Sequence, residues 1–303
     1  MIDVALLGTG GMMPLPDRFL TSLMCRLNGR FLVIDCGEAT QITMKILGWG
    51  FKNLDVVCIT HFHADHIAGL PGLLLSVGNS GRTEHITLVG PKGLQKVVES
   101  LCIIAPELPF GIDYVELGDD IVEGLQVGGF VIGACLLEHR VTCYGYSINV
   151  ARSGKFDPIK AAGLGIPKNQ WSLLQKNENV FIGDKTYTPD MVLGNQRKGI
   201  KVCYATDTRP INRLVDFVSG ADLFIGEGIY GSDEKLGKAV EYTHMLFSEA
   251  AGIAKAANVK ELWLTHFSPS LTCPGEYLDV AKNIFANTAL GYDRVNKTIF
   301  FEG

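Results

Sequence analysis

His61-Phe62-His63-Ala64-Asp65-His66 lies between two apolar runs, Asp55–Ile59 and Gly69–Val77. Four side chains able to bind a metal occupy six positions. Neutral imidazoles and a carboxylate are good zinc donors. His61 and His63 differ by two, so in an extended turn they point the same way, while Asp65 and His66 can address a second point nearby. Four such groups cannot form a comfortable core, because each would need a polar partner. A solvated polar loop is the plainer reading, but so dense a pattern between two apolar segments speaks against it. Asp55–Ile59 has the length and the bounding polar residues of a buried strand. So do Ile86–Val89, Lys201–Ala205, Asp222–Ile225 and Glu261–Leu264. Helical stretches lie between some of them. Ile42, Ile46 and Trp49 share a helical face, and Ser248 is placed to cap an Ala-rich helix from Glu249 to Ala257. Alternating strands and helices predict a layered α/β architecture.

The rest of the chain supplies matching ligands. Outside the motif the histidines are His85, His139, His244 and His266. His139 follows the apolar Ala134–Leu137, and His266 follows Leu262–Leu264. Asp207 follows Val202–Ala205, and Glu227 follows Leu223–Ile225. Strand ends are where α/β sheets collect functional groups, so these residues and the local motif suffice for a two-metal site. Cys58-Ile59-Thr60-His61-Phe62 is echoed by Trp263-Leu264-Thr265-His266-Phe267, which would suit two halves placing equivalent histidines at strand ends. His85 precedes a strand and reads as structural or exposed. His244 alone reads as a surface residue at a helix start. Gly8-Thr9-Gly10-Gly11 lacks the third glycine of a dinucleotide loop, since position 13 is Met, and fits a tight turn near the metal site.

The chain has 303 residues, 47% of them apolar and 19% charged, which excludes global disorder. No apolar stretch approaches the roughly 18–20 residues of a membrane span. Asp3 and the glycines from Gly8 to Gly11 break any signal-peptide pattern, so no membrane association and a cytoplasmic location are expected. Eight cysteines without a CxxC pair read as buried reduced thiols. Net charge is −5, yet from Arg152 to Lys201 nine Lys/Arg face only four Asp/Glu. The segment from Gly154 to Gly199 is rich in Lys, Asn, Gly and Pro. Its apolar patches, Ala161–Ile166 and Trp171–Leu174, are short. It reads as a projecting insertion, a basic arm suited to a polyanion.

The HxHxDH pattern at His61–His66 resembles that of the metallo-β-lactamase superfamily. Gly8-Thr9-Gly10 with Pro14, Asp35-Cys36-Gly37-Glu38-Ala39-Thr40-Gln41, Ala205-Thr206-Asp207-Thr208-Arg209-Pro210 and Thr265-His266-Phe267-Ser268 narrow the resemblance. Over nearly the whole chain it is similar to ribonuclease Z, the family of tRNA 3′-processing endoribonucleases. The resemblance implies an α/β fold, a four-layer αβ/βα sandwich spanning residues 1–303 with the arm inserted at about 152–198. It implies two zinc ions per subunit: one on His61, His63 and His139, the other on Asp65, His66 and His266, with Asp207 bridging. Manganese or iron would also suit this donor set. It implies that an activated water attacks phosphorus, with Asp65 orienting it, and that His244, held by Glu227, protonates the leaving 3′-oxygen. Precursor tRNA is the implied substrate, gripped by arm lysines such as Lys155, Lys160, Lys168 and Lys176, and a homodimer is the implied working unit.

Some positions depart from the family pattern. Leu164-Gly165-Ile166-Pro167 and Asp190-Met191-Val192-Leu193-Gly194 fit the family's arm, but Lys168-Asn169-Gln170-Trp171 replaces its Gly-Pro-rich turn. Glu227-Gly228-Ile229-Tyr230, His244-Met245-Leu246 and Ser270-Leu271 replace Glu-Ala-Thr-Phe, His-Ser-Thr and Arg-Tyr. Every implied metal ligand is retained. The departures bear on the substrate and keep two rivals open: a phosphodiesterase of the same fold acting on small or cyclic phosphodiesters, and a non-catalytic RNA-binding relative.

Overall fold

The computed structural model describes residues 1–105 and 107–302. The strands are β1 (Ile2–Gly8), β2 (Ser22–Leu27), β3 (Arg30–Ile34), β4 (Leu54–Cys58), β5 (Ile86–Pro91) and β6 (Ile112–Leu117), then β7 (Ile121–Val127), β8 (Phe130–Leu136) and β9 (Tyr144–Arg152). A short hairpin, β10 (Val180–Ile182) and β11 (Lys185–Tyr187), comes next. β12 (Arg197–Ala205), β13 (Leu223–Glu227), β14 (Leu262–Thr265), β15 (Thr288–Leu290) and β16 (Asn296–Ile299) follow. Two seven-stranded sheets result, ordered β16-β1-β2-β3-β4-β5-β6 and β15-β14-β13-β12-β9-β8-β7. Each is antiparallel in one part and parallel in the other. β3 to β6 are parallel in the first, β12 to β15 in the second. The echoed segments sit at equivalent places, because β4 and β14 both lie inside the parallel part of their sheet.

Contacts divide the chain into two units: residues 1–149 with 201–299, and residues 150–200 with the C-terminal residues from 300. In the larger unit, neighbouring residues such as Leu6 and Leu7, or Val56 and Val57, are all fully buried. Successive strand side chains face opposite ways, so these strands are covered on both faces. Leu7, Val33 and Val57 pack against helices α1 (Thr40–Leu47), α2 (Ala64–Ile67), α3 (Leu70–Asn79) and α4 (Leu94–Leu101), through Met44, Ile67, Leu70, Leu74 and Val98. On the inner faces the sheets meet directly: the Tyr146 hydroxyl donates to the Ile59 carbonyl at 2.8 Å, and the Thr21 and Tyr204 hydroxyls share a 2.7 Å hydrogen bond. The fold is thus the expected four-layer αβ/βα sandwich.

The smaller unit contains α5 (Pro158–Gly163) and α6 (Trp171–Gln175). Its interrupted apolar residues still make a core of Ala161, Ile166, Leu174, Val180 and Val192, flanked by Phe156 and Trp171. Asp157 caps α5 by accepting from the Ile159 and Lys160 amides at 2.9 and 3.0 Å. Where the family pattern has a Gly-Pro-rich turn, a helical turn is pinned by Trp171, whose indole N–H donates to the Ile166 carbonyl at 2.9 Å.

Helices α7 (Asn212–Val218), α8 (Leu236–Tyr242), α9 (Phe247–Ala256) and α10 (Leu278–Lys282) belong to the second half of the larger unit. The α7 residues Leu214, Phe217 and Val218, the α9 residues Phe247, Ala250, Ala251 and Ala254, and Ala281 of α10 cover the second sheet through Cys203, Phe224 and Leu262. Two expectations need correction. Ser248 does not cap α9, which starts one residue earlier; the Glu249 carboxylate accepts from the Leu246 amide at 2.9 Å, while Ser248 donates to Asp233 at 2.5 Å. Ile42 and Ile46 do share a face of α1, but it is the outward one, at 48% and 60% exposure. The inward face carries Thr40, Thr43 and Met44, and Gly48 ends the helix before Trp49 at a φ of 79°.

Candidate active site

Strand C-terminal ends bring the ligand-type residues together, those of β4, β12 and β14 from the parallel parts of the sheets and that of β8 from an antiparallel part. β4 delivers His61 and His63, with Asp65 and His66 in the short α2; β8, β12 and β14 deliver His139, Asp207 and His266. The ring nitrogens converge. His61 Nε2 lies 2.9 Å from His63 Nδ1, which lies 3.4 Å from His139 Nε2. His66 Nε2 and His266 Nε2 are 3.2 Å apart. Asp207 spans both groups: Oδ1 is 3.3 and 3.2 Å from the Nε2 atoms of His66 and His266, and Oδ2 is 3.6 and 3.7 Å from those of His61 and His139. Asp65 Oδ2 lies 3.5 Å from His266 Nε2 and 3.6 Å from His66 Nε2.

These separations test whether a cation fits. Donors about 2.0–2.1 Å from a tetrahedral metal lie about 3.3 Å from one another. The nitrogens of both groups sit near that spacing. Asp207 Oδ1 is buried with no hydrogen-bond partner among the described residues. His61, His63, His139 and Asp207 could hold one metal ion and Asp65, His66 and His266 another; Asp207, Glu227, His244 and His266 are a third group with ligand atoms equally close. Burial holds His61, His63 and His139 below the usual imidazole range despite the pull of Asp207, keeping them in the neutral form that binds metal. On His266 burial is outweighed by Asp207, Asp65 and Glu227, which raise it to about 10. Burial likewise opposes ionisation of Asp207, but His266, His66 and His61 hold it well below the usual carboxylate range.

The far ring nitrogens are anchored by residues the sequence reading gave no role. The His66 Nδ1 bonds Asp35 Oδ2 at 2.8 Å, and Asp35 also accepts from the Thr60 amide at 2.8 Å. The Thr243 hydroxyl meets His139 Nδ1 at 2.8 Å, and the Thr60 hydroxyl meets His61 Nδ1 at 3.0 Å. Asp35 had a signal: like Asp207 and Glu227, it sits at the end of an apolar strand. Thr243 had none. Asp35, Asp207 and His266 all adopt left-handed backbone, with φ of 60°, 58° and 58°. Such conformations are costly for residues with a Cβ and gather at functional sites. Asp35→Asn keeps the shape and removes the charge behind His66. It is expected to weaken metal affinity about 10- to 100-fold, measured by chelator competition; an unchanged affinity would deny Asp35 this role.

His244 stands beside the cluster between α8 and α9, not at a helix start. Its Nδ1 is 2.9 Å from Glu227 Oε2, and the other Glu227 oxygen accepts from the Thr208 amide at 2.6 Å. Burial alone would lower His244, but Glu227 outweighs it and raises it. The His244 ring lies 5.7 Å from that of His266 and 5.4 Å from that of His139. Arg209 braces the loop, donating to the His244 carbonyl and forming a two-pronged pair with Glu249. The Gly10–Gly11 turn comes close to the cluster, as expected: a Cβ on Gly11 would lie 2.7 Å from the His266 ring, and the next amide, Met12, donates to Asp65 at 2.6 Å. His85 is exposed, 3.1 Å from Asp113, and remote from this chemistry. Lys155, Lys160, Lys168 and Lys176 are all exposed in the smaller unit.

A cavity of about 530 Å³ opens over the cluster, lined by His63, Asp65, His139, Asp207, His244 and His266, and by Met12, Arg140, Tyr230, Lys238, Tyr242 and Ser270. Two packed mixed sheets that present histidines and carboxylates at strand ends define a metal-dependent hydrolase of the metallo-β-lactamase fold. The chain is similar to ribonuclease Z of Clostridium kluyveri, with 55% identity over 302 residues covering all of both chains. It belongs to the ribonuclease Z family. The human short-form tRNase Z matches in structure with a TM-score of 0.70 at 23% identity, covering 99% of this chain and 100% of that one. The metallo-β-lactamase fold protein YhfI of Bacillus subtilis matches with the same TM-score, 0.70, at 20% identity, covering 98% of each chain. Residues 2–102 also match the family described as Anti-Pycsar protein Apyc1. Among the described residues no helix is long and apolar enough to cross a membrane.

Proposed function

We propose that the chain is a zinc-dependent endoribonuclease that removes the 3′ trailer of precursor tRNA, leaves a 3′-hydroxyl and works as a homodimer. The observation that carries this reading is the His244–Glu227 pair standing against a two-part metal cluster in a chain of the ribonuclease Z family. His61, His63 and His139 would hold one ion, Asp65, His66 and His266 the other, with Asp207 shared. Bound metals at such a site lower the pKa of a water and stabilise developing charge on phosphoryl oxygens. The protein's own groups do the rest. Asp65, fixed by the Met12 amide, is placed to orient the attacking water. Glu227 holds His244 protonated on Nδ1, so Nε2 is the nitrogen that gives a proton to the leaving 3′-oxygen. The lysines of the smaller unit supply charge for tRNA phosphates. The free cysteines suit a reducing compartment such as the cytoplasm.

The test is cleavage of a 3′-extended precursor tRNA by the metal-loaded protein and by a variant with Lys155, Lys160, Lys168 and Lys176 all changed to Ala. The wild type should release the trailer and leave a 3′-hydroxyl. The variant should bind more weakly, with the slope of log affinity against log salt flattened by about one for each lysine lost. A slope equal to the wild type's would remove these lysines from the interface. The cavity is also of small-ligand size, which favours a small phosphodiester as the second reading. Wild type that hydrolyses bis(p-nitrophenyl) phosphate but cuts no precursor would select it.

A further inference from the structure

Arg140 and Lys238 line the cavity over the metal cluster. Neither pairs with a carboxylate among the described residues, whereas Arg26, Arg30, Arg82, Arg209 and Arg213 all do. Arg140 is nonetheless held in place. Its guanidinium lies over the Tyr242 ring, 4.8 Å from the centroid, and one nitrogen donates to the Glu241 carbonyl at 2.5 Å. The remaining N–H groups keep the planar fork that matches a phosphate. Lys238 and Tyr242 are four residues apart on α8 and share a face of it. At the positions where the family pattern has Arg-Tyr this chain has no cation: Ser270 lines the cavity and Leu271 is buried.

Both cations line the same cavity as His244. Arg140 directly follows His139, whose ring is 5.4 Å from that of His244, and α8 ends two residues before His244. The donor serves the leaving 3′-oxygen, so its neighbours face the nucleotide that keeps this oxygen. We propose that Arg140 and Lys238 form a subsite for the phosphate on the 5′ side of that nucleotide, with Tyr242 fixing the Arg140 fork. This assignment rests on the endoribonuclease reading above. It moves the cationic contact of the reaction site from the loop after His266 to the start of the loop after β8 and to α8.

The experiment pairs protein variants with precursor tRNAs carrying one neutral methylphosphonate at each of the phosphates flanking the cleavage site in turn. Neutralising the phosphate on the 5′ side of the cleaved nucleotide should cost the wild type about 10- to 100-fold in kcat/KM, the range of a charge-assisted hydrogen bond. Arg140→Gln should show a similar loss on the unmodified precursor, mostly in KM, and little further loss on the methylphosphonate. Lys238→Gln should behave alike with a smaller loss, and Arg140→Lys should recover part of the affinity. Equal methylphosphonate sensitivity in wild type and Arg140→Gln overturns the subsite. So does a coupling found only on the trailer side. Wild type that cuts no unmodified precursor, yet hydrolyses bis(p-nitrophenyl) phosphate, overturns the endoribonuclease reading instead.

Discussion

His244→Ala is expected to lower kcat for precursor cleavage about a hundred- to ten-thousand-fold while bound metal stays at the wild-type level. The ring contacts Glu227 and the cavity and lies beyond bonding distance of the close histidine pairs. On the proposed reading its loss removes a proton donor while leaving the His61/His63/His139 and Asp65/His66/His266 groups whole. A precursor with sulfur in place of the leaving 3′-oxygen separates this role from a structural one. A thiolate leaves without protonation, because thiols ionise at a pKa of about 8.5. On that substrate the variant should approach the wild-type rate. A variant equally slow on both substrates would rule out proton donation by His244.

Asp207→Ala should have the larger effect. Asp207 is the carboxylate within 4 Å of ring nitrogens from both clusters, through Oδ1 on one side and Oδ2 on the other. Removing it leaves each cluster short of an anionic donor. At least one equivalent of metal should be lost on dialysis, and cleavage should fall about a thousandfold or more, the equivalent of several kcal/mol of lost charge stabilisation. Elemental analysis of the dialysed protein, alongside its cleavage rate, decides this. Two retained equivalents of metal with full activity would remove Asp207 from the site.

How much of this was legible in the sequence depended on how local each feature is. His61, His63, Asp65 and His66 declare themselves by spacing alone. Asp207, Glu227, His139 and His266 are scattered along the chain, yet each sits where an apolar strand stops, and strand ends are where such sheets gather functional groups. Asp35 obeys the same rule and would have been found by applying it once more. Thr243 and Arg209 act through a hydroxyl and a loop carbonyl, and nothing in a one-dimensional pattern says which ring or carbonyl will be nearby. That the Ile42–Ile46 face of α1 points outward was illegible for a related reason. Ile42 and Ile46 are more apolar than Thr40 and Thr43, but the buried Thr40 and Thr43 hydroxyls satisfy themselves on the Gly37 and Thr40 carbonyls beside Met44. In the smaller unit, five short apolar side chains close a core that no periodicity announces.

The glycines packed around the metal cluster set the routes by which this scaffold can diverge. A Cβ on Gly11 would meet the His266 ring, one on Gly37 would lie 2.5 Å from the Asp65 carbonyl, and one on Gly69 would lie 2.1 Å from the Gly37 carbonyl. Drift at these positions would shift ligands, so the backbone beneath the reaction centre is closed to mutation. Tyr230 and Lys238 instead line the open cavity and make no hydrogen bond to a histidine through their side chains among the described residues, and Met12 and Ser270 line it beside them. New substrate preferences are therefore reached through the rim while the floor stays constant, and a library aimed at altered specificity should be confined to those rim positions.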